Sequence, residues 1–497
     1  MRGTRSPGPR SDGYTTRWCW PESRITWEED NEVSMRRIAT VCTLGLVVAC
    51  GGESPGVSEP ADTPTPPSFT SRVLATGLGF PWEVTWGPDD HLWVTERAGK
   101  RIVRVQPEDG SYSVAHEFPD AYQAVLQDGV LGMALHPELL QGTGRDYVYV
   151  AWNYDSDASD AVDVRARIQR LTYDSTSGTL GDAVEVISGL PAHDDHLGGR
   201  LVFGPDEKLY FSIGDQGANW QRNRCNPNLA QVVPSAEEVA AGDWSKYPGT
   251  ILRLNLDGSI PDDNPTINGA RSHVWSYGHR NPQGLVFDAN GRLFEAEHGP
   301  STDDEVNRIE AGHTYGWPDV AGFQDDQAYV YANWSASAPT VCGELGNPRD
   351  PPNSVPSQTE SEWNHEDFTP PLATFFTVPD DYDFAANGAG TVAAAGLDIY
   401  TYTDGVPGWA DSLLLASLTR GAVYRLALSS DHNAVVGTPT MEFKSTNRYR
   451  DLAIRPDGRA FYLATDNEGP TRNDAGESTR DLANPGAIIE FRYDGSP

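Results

Sequence analysis

The chain has 497 residues and a formal net charge of −34, with 71 acidic residues against 37 Lys and Arg. A field of that sign repels phosphate backbones and anionic lipid, which excludes nucleic-acid or membrane binding through surface charge. Gly (49), Pro (37) and Trp (14) are abundant, a mixture that favours many strands joined by tight turns over a helical bundle.

Residues 1–34 have no pattern of their own and read as an upstream extension outside the mature protein. Met35-Arg36-Arg37 precedes an apolar run at 38–49 that ends at Cys50. A charged start, a short apolar middle and small residues before the cut mark a secretory signal. Val47-Val48-Ala49-Cys50 resembles a bacterial lipobox, so 35–50 reads as a lipoprotein-type signal peptide with Cys50 as lipid anchor. An ordinary secretory signal is the alternative. Either implies an exported protein, periplasmic or on the outer membrane or cell surface, because the run is too short to span a bilayer. Residues 51–68, rich in Pro, Thr, Ser and Gly, read as a flexible tether, which leaves 69–497 for the folded domain. Beyond the leader only Cys225 and Cys342 remain of five cysteines. An oxidising compartment would allow a disulfide between them; the sequence leaves paired and free open.

A turn-and-strand unit then recurs. Trp86-Gly87-Pro88-Asp89 leads into strands at 92–96 and 102–105, and Phe203-Gly204-Pro205-Asp206 into strands at 209–211 and 251–254. Phe287-Asp288-Ala289-Asn290-Gly291 leads into 293–295, and Arg455-Pro456-Asp457-Gly458 into 461–463 and 488–491. The closing strand often reads I-x-R-x. Looser copies at 130–171 and 397–426 bring the count to six, which predicts an all-β, six-bladed β-propeller of four-stranded antiparallel blades. The early strand pattern at 71–76 closes the ring by pairing with the last blade. Unit spacing is uneven, so insertions, largest at 219–247 and 322–384, belong in loops.

Propellers bind ligands at one mouth of the channel, and the loops must supply the chemistry. Five segments carry suitable residues: Gln127-Asp128-Gly129; His193-Asp194-Asp195-His196 with Gly198-Gly199-Arg200 behind it; Gly278-His279-Arg280-Asn281-Pro282-Gln283; His298-Gly299-Pro300 with Asp303, Asp304 and Glu305; and Asn447-Arg448-Tyr449-Arg450-Asp451. Singly each has a plain reading, since a loop His is more often a surface residue than a base and an acidic triplet more often a solvated loop. Together they offer donors for an anion and oxygen ligands for a hard cation.

Over about 73–492 the sequence resembles the soluble PQQ-dependent glucose dehydrogenase family (glucose/sorbosone dehydrogenases). The match runs through GPDEKLYFSIGDQG at 204–217, LRLNLDGSIPDDNP at 252–265, GHRNPQG at 278–284, TYGWPDVAG at 314–322 and NRYRD at 447–451. The resemblance implies a catalytic propeller with PQQ and Ca2+ at the channel mouth, usually an exported homodimer. Its activity would be oxidation of an aldose at the anomeric carbon to the lactone, with electrons passed to an external acceptor such as a cytochrome, a quinone or a dye. It places the catalytic base on His196, with Asp195 orienting it, and a substrate contact on Gln127. Arg280 and Asn281 become cofactor ligands, Arg280 also stabilising charge on the quinone oxygen. Arg448 and Arg450 would hold PQQ carboxylates, and Thr391 would lie at the cofactor. The active-site Ca2+ falls on the carbonyls of Gly299 and Pro300. A further calcium pair near the dimer interface falls on Glu305, Tyr315, Ala321, Phe323, Asp325 and Glu360.

The chain departs from the family pattern in places. Thr419 stands where a Lys contacts PQQ, which keeps a hydrogen bond and loses a charge; Arg420 next to it points the other way by strand alternation. The loop that carries a stacking Trp is shortened at 385–390, with Ala389 at the aligned position. Trp220 replaces a substrate-side Gln and offers stacking; His298 replaces a cofactor-side Gln. These changes predict retained redox chemistry with altered sugar preference. The competing readings are a calcium-dependent propeller lactonase, or a non-catalytic surface propeller that binds carbohydrate.

Overall fold

The computed structural model describes residues 66–124, 127–159, 161–345, 351–473 and 475–495. The expected leader and most of the expected tether lie outside them. Six four-stranded antiparallel sheets form the blades of a propeller. The inner strands are Pro81–Trp86, Val130–Leu135, Gly198–Phe203, Pro282–Phe287, Ala394–Tyr400 and Tyr449–Ile454. Phe69–Ala75 pairs antiparallel with Ile488–Tyr493, so the first strand completes the last blade and removes the edges a linear array would expose.

Second strands such as Leu92–Glu96, Leu209–Ile213 and Ala460–Thr465 are buried throughout, because both their faces meet a neighbouring blade. Between the fourth and fifth blades, Phe294, Leu397, Leu413, Leu415 and Tyr424 form one such seam. Outer strands show far more solvent-facing positions, as in Tyr112–Glu117. The long outer strand Thr179–Pro191 of the second blade is exposed at most positions over its first half. It carries no alternation, which is why the second repeat reads as three strands in the sequence.

The recurring turn has a structural purpose. Asp89 accepts from Trp93 Nε1 (2.9 Å) and Arg104 Nε (2.9 Å), and Asp206 from Tyr210 Oη (3.1 Å) and Arg253 Nε (2.8 Å). The turn carboxylate thus clips the second strand to the Arg of the I-x-R-x strand. At Gly87 a Cβ would lie 2.3 Å from Trp93 Nε1, so the clip requires glycine there.

All six inner strands run the same way, so the loops before them, and those joining second to third strands, meet at one mouth. Each inner strand also breaks register near that end, between Pro81 and Glu83, Val130 and Met133, Gly198 and Leu201, Pro282 and Gly284, Ala394 and Leu397, and Tyr449 and Asp451. Such bulges re-aim side chains beside functional sites. The two insertions are tied together by a Cys225–Cys342 disulfide with a Cα–Cα distance of 5.6 Å, which answers the question the sequence left open.

Candidate active site

His196 precedes the third inner strand with φ 46°, a left-handed conformation that a side chain adopts at a cost of roughly 1–3 kcal/mol. The imidazole is buried, and its Nδ1 lies 2.7 Å from Asp215 Oδ1. Asp215 sits in the loop after the second strand of the same blade. It also accepts from Gly217 N (2.8 Å), Asn228 Nδ2 (3.0 Å) and Trp317 Nε1 (2.7 Å). Burial alone would raise this carboxyl, but His196, Arg280 and the donors around it hold it below the ordinary range. Four donors on an ionised Asp215 put the His196 proton on Nδ1 and leave Nε2 as a free acceptor. The Asp215 side chain is absent from the sequence-derived site set. Its signal was present, as the Asp of the SIGDQG signature on a second-to-third strand loop. At Gly214 a Cβ would lie 2.0 Å from the His196 carbonyl oxygen and 3.1 Å from that of Arg280, so this loop can bring the two residues together only with glycine at that position.

Asp195, expected to orient the base, lies on the other side of the ring. Its Oδ1 is 3.9 Å from His196 Nε2 and accepts 2.7 Å from Gln127 Nε2. Gln127, Asp195 and Nε2 therefore share one face at the mouth. His193 pairs with Asp194 at 2.7 Å and is part-exposed, the plain reading of a loop histidine.

Arg280 and Asn281 come from the loop before the fourth inner strand. Glu297 Oε2 accepts both backbone amides, at 2.5 and 3.1 Å, and burial pushes Glu297 up to about 8. The Arg280 guanidinium donates to the His298 carbonyl (3.0 Å) and lies 5.2 Å from the Trp317 ring. Asn281 Oδ1 accepts from Gly198 N (3.1 Å), stitching the third and fourth blades. His279, also in this loop, is fully buried behind the site, stacked 4.8 Å from Tyr315. Burial, reinforced by Arg280, His196 and Arg450, drives His298 well below the ordinary imidazole value, so its ring is neutral.

Gly299 N donates to Asp304 Oδ1 at 2.8 Å, and Asp304 Oδ2 accepts from Thr391 Oγ1 (2.6 Å), Val392 N (2.7 Å) and Ala393 N (2.8 Å). Asp304 thus fixes the Gly299-Pro300 turn against the Thr391 loop. The next residues, Ser301 and Asp303, have φ of 88° and 54°. Thr419 Oγ1 and Arg420 Nε both donate to the Thr391 carbonyl, at 3.1 and 2.9 Å. The expectation that Arg420 points away is corrected: residues 418–420 form a turn, so strand alternation does not apply.

Arg450 grips Asp466 through Nε (3.1 Å) and Nη2 (2.8 Å) and donates to Gln283 Oε1 (2.6 Å). Arg448 Nε lies 3.5 Å from the same carboxylate. Arg97 adds a third guanidinium; burial, then Arg450 beside it, takes it down to about 10 against the pull of Asp466. Arg200 and Asp451, grouped with the loop candidates in the sequence, do other work. Arg200 Nη1 bonds Glu83 (2.5 Å) and Asp451 (3.1 Å) and Nε bonds the Gln283 carbonyl (2.9 Å), tying four blades across the channel.

The second expected calcium set forms its own acidic cluster. Glu305 Oε1 accepts from Gly322 N (2.7 Å), and Glu360 accepts from Ala321 N (2.9 Å) and Asp326 N (3.0 Å). Burial pushes Glu360 up to about 8, with Asp325 and Asp303 adding to the rise. Among the described residues neither glutamate has an Arg or Lys partner. The Tyr315 hydroxyl donates to the Arg308 carbonyl (2.7 Å) and accepts from Glu310 N (2.8 Å), so only its backbone remains available to a cation. Trp220 lines a cavity of about 720 Å3 that also touches Arg280 and Pro300.

The Glucose / Sorbosone dehydrogenase family matches residues 78–339 and 379–472. Quinoprotein glucose dehydrogenase B of Acinetobacter calcoaceticus is 40% identical over 93% of this chain and 99% of its own length. Aldose sugar dehydrogenase YliI of Escherichia coli is 27% identical over 81% of this chain and 92% of its own. The PQQ-bound aldose sugar dehydrogenase of Streptomyces coelicolor superposes with a TM-score of 0.58 at 26% identity, covering 86% of this chain and 99% of that one. The chain belongs to the glucose/sorbosone dehydrogenase family.

Proposed function

We propose that this chain is a PQQ- and calcium-dependent dehydrogenase that oxidises an aldose at its anomeric carbon to the lactone and hands the electrons to an external cytochrome, quinone or dye. The observation that carries the reading is the buried His196–Asp215 pair beside a mouth of guanidinium groups. The donor set fits an anionic quinone. Among the described residues Arg280 Nε and His298 Nε2 are buried without a hydrogen-bond partner, and Arg448 Nε has only the 3.5 Å contact with Asp466. Arg448 and Arg450 would hold carboxylates of the cofactor, with Arg280, Asn281, His298, Thr391 and Thr419 along its edges. Gly299 and Pro300 would offer carbonyls to the active-site Ca2+, since among the described residues no backbone amide donates to either. When bound, the cofactor supplies the two-electron acceptor and the cation polarises its carbonyl.

The residues then divide the work. Gln127 and Asp195 position the sugar by its hydroxyls. His196 Nε2 takes the proton from the anomeric hydroxyl as hydride leaves the anomeric carbon. Asp215 holds the ring and stabilises the imidazolium that forms, and Arg280 stabilises negative charge that develops on the acceptor oxygen. A structural calcium pair at Glu305, Asp325 and Glu360, with carbonyls of Tyr315, Ala321 and Phe323, belongs to the same proposal, because oxygen-rich clusters suit Ca2+. So does a homodimer. So does export as a Cys50-anchored lipoprotein; among the described residues no helix is long and apolar enough to cross a membrane.

The test is reconstitution of purified protein with PQQ and Ca2+, a panel of aldoses and a dye acceptor. Dye reduction that needs PQQ and is lost in His196→Ala supports the proposal. Absence of PQQ binding, or lactone hydrolysis with Ca2+ alone, overturns it.

A further inference from the structure

Asp215 accepts from His196, Gly217, Asn228 and Trp317, and one of these donors reaches it from another blade. Gly217 and Asn228 share the loop between second and third strands in which Asp215 itself lies. Trp317 lies beyond Asp304–Ile309, the third strand of the fourth blade, and its Nε1 donates to Asp215 Oδ2 at 2.7 Å. The same indole carries the Arg280 guanidinium carbon over its ring, 5.2 Å from the centroid. A single side chain thus touches the group that holds the base and the group assigned to the acceptor's charge.

The indole is fixed from several sides. Trp317 N donates to the Gly278 carbonyl (3.0 Å), and the Trp317 carbonyl accepts from Gln231 Nε2 (2.9 Å). The ring packs 5.7 Å from that of Tyr329, whose hydroxyl donates to the Pro318 carbonyl (2.5 Å). Gly316, one residue earlier, has φ 90°, and a Cβ there would lie 2.9 Å from the side chains of Phe368 and Val320. The turn that delivers the indole therefore needs glycine. Each donor on Asp215 draws charge from the carboxylate that stabilises the imidazolium, and so makes His196 Nε2 a weaker base. Trp317 Nε1 shares Oδ2 with Asn228 Nδ2 (3.0 Å), while His196 Nδ1 lies on Oδ1. The other charged or titratable groups around the pair are Asp195, Arg280, Arg450, Glu297 and His298. Among the described residues none of these hydrogen-bonds the Asp215 carboxylate.

We propose that Trp317 is a positioning residue that joins the two halves of the reaction: its N–H sets the basicity of His196 through Asp215, and its ring holds the Arg280 guanidinium where the anionic cofactor binds. The inference rests on the proposed dehydrogenase function and deepens it. Trp317→Phe keeps an aromatic ring and deletes the N–H. The acid limb of kcat/KM, which reports protonation of the base in the free enzyme, then moves to higher pH by about half to one unit. Asn228→Ala removes the neighbouring donor and moves the limb the same way. Trp317→Leu removes the ring as well. It shifts the limb and also weakens PQQ binding, read by absorbance titration, about three- to tenfold, whereas Trp317→Phe weakens it less. A merely structural Trp317 would lower activity at every pH and leave the limb in place. An acid limb that stays or moves down in Trp317→Phe, or PQQ bound as tightly by Trp317→Leu as by Trp317→Phe, overturns the proposal.

A second readout is independent of turnover. Protein labelled at histidine is titrated by NMR without sugar, and the His196 signal is identified by its loss in His196→Gln. Its midpoint lies at higher pH in Trp317→Phe than in wild type, and equal midpoints overturn the link through Asp215. If the loaded enzyme oxidises no sugar, the dehydrogenase reading fails while this titration and the PQQ binding still decide the role of Trp317.

Discussion

Replacing Asp215 by Asn separates the two carboxylates that flank the base. Asp215 accepts four hydrogen bonds, from His196 Nδ1, Gly217 N, Asn228 Nδ2 and Trp317 Nε1, and donates none. An amide must turn its NH2 toward one pair of these donors. Facing Asn228 and Trp317, it meets two N–H groups that have no other acceptor among these bonds. Facing His196, it favours the tautomer with the proton on Nε2, so the ring can no longer act as a base. In either pose the negative charge that stabilises the imidazolium is lost. General-base contributions run to about 10²–10⁴ in rate, or roughly 3–5 kcal/mol of barrier at 1.36 kcal/mol per tenfold. The expected outcome is a fall in kcat by that factor with KM for glucose little changed. It is measured by dye reduction at saturating PQQ and Ca2+, with cofactor binding followed by absorbance. The matching Asp195→Asn change removes a substrate-side acceptor of Gln127 and raises KM instead. An Asp215→Asn enzyme within about threefold of wild-type kcat, alongside an Asp195→Asn enzyme down a hundredfold, would refute the assignment and return the orienting role to Asp195.

Arg450→Leu leaves Asp466 and Gln283 without their main donor, and one charge-assisted contact is worth about 1.5–3 kcal/mol. PQQ affinity, read by absorbance titration, is therefore expected to fall about ten- to a hundredfold. The Cys225→Ser, Cys342→Ser double variant opens a crosslink that spans 117 residues of sequence; it should lose about 2–4 kcal/mol of stability, seen as a lower Tm than wild type in oxidising buffer. His273, whose Nδ1 meets Tyr247 Oη at 2.9 Å and whose Nε2 meets the Gly258 carbonyl at 3.0 Å, is taken by burial from 6.5 down to about 4. Between those values the unfolded chain binds more protons than the folded one, so stability present at neutral pH is lost as pH falls through the window. Denaturation of wild type and His273→Gln should show their stability difference shifting by about 3 kcal/mol from pH 7 to pH 4; a constant difference would contradict a neutral buried ring.

Much of the propeller was legible because its repeat is local. The Asp of the turn and the Arg of I-x-R-x recur since Asp89–Arg104 and Asp206–Arg253 each hold a blade's strands together. Outer strands such as Thr179–Pro191, exposed at most positions of its first half, have only one partner strand and lack the alternation of a half-buried strand, so their bounds were not readable. At the site, segments before inner strands stood out by their density of His, Arg and Asn. Asp304 was named only within an acidic triplet, and Asp215, Glu297 and Asp466 did not stand out, because the role of each depends on which loop of another segment it meets. Arg420 was misjudged for the same reason, since a turn cancels the alternation a strand would impose. Cys225 and Cys342 lie in insertions without periodicity, and only the fold brings them together.

The charge distribution gives the last argument. A chain of net charge −34 would be expected to surround any buried guanidinium with carboxylates. Arg104 and Arg253 of the I-x-R-x strands and Arg200 follow that rule, each bonded to at least one Asp or Glu. At the mouth counter-charge is scarcer. Arg448 and Arg450 share the one carboxylate of Asp466, and the Arg280 guanidinium bonds a carbonyl and an aromatic face. Holding buried cations short of counter-charge costs stability, and the cost is recovered only when an anion binds. Thr419, which the sequence resemblance aligns with a Lys, would lower that excess at one edge. Arg448 and Arg450 keep it at the other, so Arg450→Leu is expected to weaken cofactor binding more than any substitution at Thr419.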